Sequence, residues 1–394
     1  MKKVLIHIGA SKLQKNSLRW AKEAGLYVVA TDVNANAPNK DIADEFFNIS
    51  GTDVASLLEL SKKLNYLHDV VGVYCNSDFG LEAASEINSK LSLKGCLPKS
   101  VKLSLNKLQA KKLMFRKGVP VPLSFTVIEG SKYENLIFPV IVKPSDSCGS
   151  QGVSFVKQAQ DVKKAIDHAY KYSESVMIEE YVDGDGVDTI GIMYDGVLYP
   201  YGIGSRVFSH LPYCFPVHGC SPLEMIDSEV RLAYSITEKA ALALGIKNGP
   251  VKADLLYKNG RFTLIELTPR FHGDVFTSKL IFYSTNVSAV QELFNSMISK
   301  SLPKKSHIRN NGKIILWKAL FPLIEDIDFE NIFNELRERY DLLDVFINKN
   351  PLKVVNMHID NSTSAGFFWV AFNSHQELKD FLSYFKHKYE GQFL

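Results

Sequence analysis

The chain has no run approaching the ~18 uninterrupted apolar residues that a membrane-spanning helix requires, although 46% of its 394 residues are hydrophobic and 23% are charged. A bilayer-embedded protein is therefore not expected. Cysteine is scarce and irregularly placed. Its five residues, Cys75, Cys96, Cys148, Cys214 and Cys220, are odd in number and form no C-x-x-C pair, which argues for reduced thiols and against a disulfide framework or a thiolate zinc site. Charge of one sign is also lacking: a net +3 without long basic runs offers no nucleic-acid surface. No G-x-G-x-x-G occurs, so the dinucleotide fingerprint is absent, and no G-x-x-x-x-G-K-[ST] phosphate loop occurs either. Repeats and low-complexity tracts are missing. The opening MKKVLIHIGASK has an apolar run shorter than the ~7–15 residues of a secretory leader core. It reads as a buried first strand, and a cytoplasmic protein is expected.

What the chain does have is order. Over the first hundred residues short apolar strands alternate with amphipathic helices, from KVLIHIG and NSLRWAKEAG through YVVATDV and DVASLLELSKKLN to VVGVYC and GLEAASEINSKLSL. Such alternation predicts a parallel, doubly wound α/β sheet whose ligands sit beyond the strand C-termini, here a Rossmann-like domain over 1–100. Asp32 ends the second strand, and without the glycines a structural or substrate-side role is favoured over ribose binding. The helical stretch LNKLQAKKLMFRKG ends at Gly118 and the Pro120 and Pro122 pair, a boundary signal. Strand and hairpin signals then dominate to about residue 300, which predicts an α+β domain over 101–300. After the polar SKSLPKKSHIRNNGK the alternation resumes, and a small α/β domain is expected over 301–394.

The hairpin VKADLLYKNGRFTLIELTPR carries the chemistry. Asn259-Gly260 between alternating apolar residues marks a tight turn, and Asp254 and Glu266 lie on the two strands. With a two-residue turn Asp254 would oppose Ile265 and Glu266 would face away, because side chains alternate. The two carboxylates can share an ion only if the turn holds an odd number of residues. Glu266 and Thr268 share a face in either case. Two solvated charges on a hairpin are the simpler reading, but a carboxylate inside the apolar LIEL is costly unless paired or coordinated. Converging carboxylates with room for water and phosphate oxygens suit magnesium.

Phosphate requires positive charge and backbone donors too. Lys143 ends the strand FPVIVKP, and Ser145 to Gly152 is a run of small residues suited to a lid closing over phosphate oxygens. Beyond it VMIEEYV ends in Glu179, Glu180, Tyr181 and Val182, where exposed backbone could read a base edge.

In order, a Rossmann-like domain, Lys107 before a helix and GVPVP, a strand ending in Lys143, a Gly/Ser lid, EEYV, and Asp254 followed by ELTPR resemble the ATP-grasp superfamily over nearly the whole chain. The resemblance implies a pre-ATP-grasp domain, a two-lobed ATP-grasp domain with its lid lobe at about 125–182, and a closing α/β domain. It implies ATP and Mg2+ as cofactors, with Mn2+ as the alternative ion. The implied reaction phosphorylates a carboxylate and lets an amine attack the acyl phosphate, releasing ADP and phosphate. By the same resemblance Lys107 and Lys143 hold phosphates, and Ser147, Gly149, Ser150 and Gly152 form the lid. Glu179, Glu180, Tyr181 and Val182 form the adenine hinge, and Asp254, Glu266 and Thr268 bind metal. Arg270, counted with Lys143 as catalytic, steadies the carboxylate or its acyl phosphate, a task suited to a bidentate guanidinium.

The sequence departs from the pattern twice. Thr268 stands where asparagine is usual, which puts a second metal in doubt, and Gly186 falls where a glutamate often holds ribose, leaving Asp185 or Asp188 for that task. The stretches SRVFSHLPYCFPVHGCSP, LGIKNGPVKAD and ELTPRFHGD look most like carboxylate-amine ligases such as L-amino acid ligases. Arg206, His210, His218, His272 and Asp274 then line the substrate pocket. Biotin carboxylase-like and glycinamide ribonucleotide synthetase-like activities are the alternatives within enzymes, and a nucleotide-binding protein without turnover is the alternative outside them. Expected partners are a small carboxylate and an amine, with a homodimer as the candidate assembly. Cys148 reads as a small filler of the lid rather than a nucleophile, having no base near it in sequence.

Overall fold

The computed structural model describes residues 1–128, 133, 135–147, 149, 151–209, 215–304, 310–348 and 363–394. Among them no helix is long and apolar enough to cross a membrane.

The first sheet is parallel: β1 (Lys3–Ile8), β2 (Tyr27–Thr31), β3 (Glu45–Phe47) and β4 (Asp69–Cys75) in the order β3-β2-β1-β4. Its inner strands are continuous apolar runs because both faces are covered. Val4, Ile6 and Ile8 pack with Leu57, Leu60 and Ile87 of the helices Val54–Leu67 and Leu81–Lys90. Leu5, Val28 and Ala30 face the other way, toward Leu18 of the helix Lys15–Glu23 and Phe294 of the helix Ala289–Ser299. The doubly wound α/β arrangement expected from the alternation is present.

A second, antiparallel sheet contains β5 (Ser124–Thr126), β6 (Val140–Pro144), β7 (Ser154–Val156) and β8 (Val176–Glu180) in the order β5-β8-β6-β7, backed by the helix Val162–Ala169. The third sheet has eight strands. In chain order they are β9 (Asp185–Tyr194), β10 (Val197–Phe208), β11 (Pro216–Ser221), β12 (Gly249–Lys258), β13 (Arg261–Thr268), β14 (Ile314–Leu320), β15 (Asp341–Ile347) and β16 (Gly366–Phe372), and across the sheet they run β13-β12-β9-β10-β11-β14-β16-β15. The strands beyond residue 300 thus extend the central sheet: β14 pairs with β11 from His218 opposite Lys318 to Ser221 opposite Ile315.

Strand alternation decides which face of this sheet is chemical. On β12, Val251, Ala253 and Leu255 pack with Ala233, Ile236 and Ala240 of the helix Asp227–Ala243, so Lys252 and Asp254 project from the opposite face.

The hairpin corrects one expectation. Lys258 pairs with Arg261, so the turn holds two residues, Asn259 and Gly260, with φ of 51° and 77°. Positive φ at both is the mirror-image turn that matches strand twist. Even so, Asp254 pairs with Glu266, because the register shifts between Asp254 and Leu255, with Leu255 opposite Leu264. Ile265 is the extra residue of a β-bulge, and the bulge restores the parity that the even turn would have broken.

Gly186 is explained by a close approach. A Cβ there would lie 2.2 Å from the Arg206 carbonyl oxygen and 2.9 Å from the Phe208 ring, so no side chain fits between β9 and β10. Gly186→Ala is expected to destabilise the fold by about 1–3 kcal/mol through overpacking, read as a lowered midpoint in urea with an unchanged slope.

Candidate functional site

One cleft of about 940 Å³ runs between the second and third sheets, and Asp78, just beyond the last strand of the first, also lines it. Its floor is the hairpin. Asp254 and Glu266 are cross-strand partners, and Asp188 of β9 sits opposite Asp254 on the other side. Three carboxylates in a row on one face demand cations. Arg206 donates to Asp188 at 2.6 Å and lies 2.9 Å from Asp254. Lys252 contacts both Asp254 oxygens at 2.8 and 3.0 Å and stands 3.8 Å from Glu266. Lys107 is 3.1 Å from Glu266 and donates to the Ser147 carbonyl at 2.6 Å.

These contacts set the protonation of the row. Burial opposes ionisation of Glu266, but Lys107 and Lys252 outweigh it and hold the carboxyl at about 2. Burial likewise opposes ionisation of Asp254, and Arg206 and Lys252 hold it well below the usual range. Asp188 goes the other way, pushed up to about 7 by burial despite Arg206. His272 lies 3.7 Å from Asp254 and 3.9 Å from Asp188, its ring against Phe276. Burial, then Lys252, drives its imidazole well below its ordinary value, and among the described residues its Nε2 has no hydrogen-bond partner. Ligand atoms of Asp188, Asp254 and His272 all fall within 4.8 Å of one another. This donor set of carboxylate oxygens and a neutral imidazole fits a divalent cation.

The second sheet supplies the opposite wall. Lys143 at the end of β6 and Lys111 of the helix Lys107–Arg116 both hydrogen-bond the buried Glu179 on β8. Burial pulls Lys111 down to about 8 despite Glu179. Burial also opposes ionisation of Glu179, yet the two ammonium groups hold its carboxyl at about 2.

The cleft brings together Lys107, Lys143, Ser147, Gly149, Glu179, Glu180, Tyr181, Val182, Asp185, Arg206, His218, Asp254, Glu266, Arg270 and His272. Gly152 is buried against Pro144 and Tyr172 at a φ of 72°. The amides of Glu180 and Tyr181 already donate to the Leu123 and Pro139 carbonyls, so those two are not open to a base edge. Asp188 belongs to the carboxylate row beside Asp254, whereas Asp185 lies exposed opposite Tyr257. Arg206 is tied to that row rather than free for a substrate group. His218 is held at about 4 by burial and then by Lys318, its cross-strand partner.

One expected site residue lies elsewhere. Asp274 is buried, accepting from the Ser278 hydroxyl at 2.9 Å and the Asn16 amide at 3.4 Å, and so joins chain segments instead of lining the cleft. Thr268 is buried opposite Lys252, on the face that carries Lys252 and Glu266. Ser150, Cys148 and His210 fall outside the described residues.

Three residues were not singled out from the sequence. Lys111 follows Lys107 by one helical turn, a spacing that puts both on one side. Lys252 precedes Asp254 by two, the strand period. Asp78 follows the C-terminal end of β4, where doubly wound sheets place ligand groups; its carboxylate takes Arg270 at 2.7 and 2.8 Å, a bidentate pair.

Removing one partner of a buried ion pair is strongly destabilising, so Lys111→Met should cost about 3 kcal/mol at neutral pH. Glu179 has its folded value below its ordinary 4.5, so its contribution is present above that value and is lost as pH falls toward 2. The gap between wild type and variant in denaturant melts should close over that acid window. An equal gap at both ends would contradict the triad.

Residues 125–215 match the sequence profile of the D-ala D-ala ligase C-terminus family. An uncharacterized protein of Sinorhizobium fredii is 23% identical over 240 residues, and the chain spans about half (49%) of its length. The formate-dependent phosphoribosylglycinamide formyltransferase of Prochlorococcus marinus strain MIT 9515 is 25% identical over 80% of this chain and 81% of its own. Among solved structures, an L-amino acid ligase from Bacillus licheniformis superposes with a TM-score of 0.82 at 19% identity, covering 98% of both chains. The biotin carboxylase domain of 2-oxoglutarate carboxylase from Hydrogenobacter thermophilus, solved with MgADP and bicarbonate, gives 0.71 at 14% identity over 97% of this chain and 89% of that one. Parallel first sheet, antiparallel lobes and the cleft between them have one common description: the chain has an ATP-grasp fold.

Proposed function

We propose that the chain is an ATP-dependent ligase that activates a small carboxylate as an acyl phosphate and joins it to an amine, releasing ADP and phosphate. The observation that carries this reading is the convergence of the Asp254–Glu266 pair, Lys107, Lys143 and Arg270 on one cleft. Magnesium bound at the carboxylate row supplies charge neutralisation to phosphate oxygens. The chain's own residues do the positioning. Lys107 bridges Glu266 and the Ser147 carbonyl, so the lid segment is tied to the carboxylates that hold the cation. Lys143 presents an ammonium from the opposite wall, and Ile141, Val182, Leu256 and Ile265 offer apolar contact for a base. Asp78 takes Nε and Nη2 of the Arg270 guanidinium and the Phe271 carbonyl takes Nη1, which fixes a positive charge at the cleft wall for a carboxylate or acyl phosphate. Phosphoryl transfer depends on positioning and charge neutralisation, and no covalent protein residue is assigned.

Two carboxylates are favoured by specific observations. The L-amino acid ligase fold over the whole chain supports an amino acid, and the formyltransferase relative supports formate. ADP release with each acid, with and without amines, separates them. Hydroxylamine trapping of an acyl hydroxamate tests activation itself, and nucleotide binding without either product would favour the non-catalytic alternative.

Glu266→Gln should lower kcat by roughly 10²–10³-fold, as expected for losing a preorganised electrostatic group, while its melting profile stays cooperative. Undiminished turnover would remove Glu266 from the site. Lys143→Ala should weaken ATP binding by roughly 10–100-fold, the worth of one charged hydrogen bond; unchanged nucleotide affinity in calorimetry would contradict the phosphate role.

A further inference from the structure

Lys252 is used by none of the roles assigned above, yet it is buried in the middle of the carboxylate row. Its side chain is 6% exposed, and it lies on β12 two residues before Asp254, on the same face. The ammonium chelates both oxygens of Asp254 at 2.8 and 3.0 Å and reaches within 3.8 Å of Glu266. It therefore sits between the two carboxylates that would share metal ions. Its cross-strand partner is Thr268, the position where the superfamily pattern has an asparagine.

Two independent features thus bear on the same place. Thr268 is buried on the same face as Lys252 and Glu266, and a threonine brings no amide oxygen to a second cation. Lys252 brings a fixed positive charge there. Arg206, Lys252 and Lys107 already face Asp188, Asp254 and Glu266 as three cations against three carboxylates. A divalent ion placed beside a buried ammonium is repelled twice as strongly as a second lysine would be. One divalent ion accompanying a polyphosphate can still be accommodated through the oxygens that face the cleft. A second finds no amide oxygen at position 268 and no carboxylate of the row without a cation already beside it.

We infer that Lys252 takes the place of one of the two magnesium ions, so that the cleft binds its nucleotide with a single divalent cation. This rests on the nucleotide-binding reading proposed above. Lys252 acts as a compact point charge with three donors: it neutralises and positions, and the Lewis-acid part is left to the one metal.

Native mass spectrometry of the full chain with a non-hydrolysable ATP analogue and Mg2+ reads nucleotide and metal counts together, against a nucleotide-free control for adventitious adducts. Wild type is expected to carry one nucleotide with one magnesium, and Lys252→Arg, which keeps the charge, should do the same. Lys252→Met combined with Thr268→Asn should carry two. Two magnesium ions on wild type would overturn the inference while leaving the nucleotide reading intact. A double variant that binds nucleotide with one magnesium would overturn the role given to Lys252. If wild type takes up no nucleotide, the reading beneath it fails and the inference with it. Should the double variant not fold, the wild-type count still decides.

Discussion

A carboxylate taken out of water has to be met by a cation, and the cleft is organised around that constraint. Glu179 is held between Lys111 and Lys143, Asp254 between Arg206 and Lys252, and Glu266 between Lys107 and Lys252. At ~4 Å and an effective dielectric of ~20 each such contact is worth about 4 kcal/mol before desolvation is subtracted, so an unmatched member would be a serious liability in a marginally stable fold. The consequence for function is a competition. A polyphosphate entering the cleft meets ammonium groups that already have partners, and binding must exchange one set of anions for another. Prepaired lysines of this kind are fixed in place before ligand arrives, which reduces the ordering cost of binding.

How far the sequence could be read depends on the range of the information needed. Alternation of strand and helix is local and periodic, and the first sheet follows from it directly. The pairing of Asp254 with Glu266 was readable as a requirement, from an acid embedded in LIEL, but the means was not. Turn chemistry at Asn259-Gly260 specifies an even loop, and only the long-range register reveals the bulge at Ile265 that undoes its effect. Lys252 and Lys111 were hidden for another reason. Lys252, close to an acid in sequence, reads as a solvated pair worth little, Lys111 reads as one more solvated charge of a basic helix, and nothing local says that the surface carrying either will be buried. Asp274 shows the converse: its closeness to His272 suggested the pocket, whereas the chain turns after Gly273 and the carboxylate caps Ser278 instead.

The same limit applies to the larger architecture. Composition places a polar break near residue 300, which reads as the start of a separate unit. The strands beyond it nevertheless pair with β11, because a sheet edge at β11 would otherwise leave backbone groups unpaired. One continuous sheet therefore carries the carboxylate row, His218 and the strands on which the helix His375–Lys388 packs. At the other end Arg270 reaches back to Asp78 after β4, so the first sheet also contributes a wall. Each part of the chain supplies the cleft with something the others lack: an orienting carboxylate, a lid with its lysines, a hairpin of acids, an apolar margin.

Asp188 shows how burial divides charge within that row. It faces Asp254 across β9 and β12 and shares Arg206 with it. Two adjacent carboxylates in a low-dielectric setting resist ionising together, and the asymmetry of their partners decides which one yields. Asp254 has Lys252 on both oxygens as well as Arg206, while Asp188 has Arg206 at 2.6 Å and only the distant edge of His272. The proton therefore goes to Asp188, whose carboxyl is pushed up to about 7, and Asp254 keeps its charge. Near neutrality the row absorbs a proton at the position farther from Glu266, and the acid paired with Glu266 across the bulge remains an anion available to a cation.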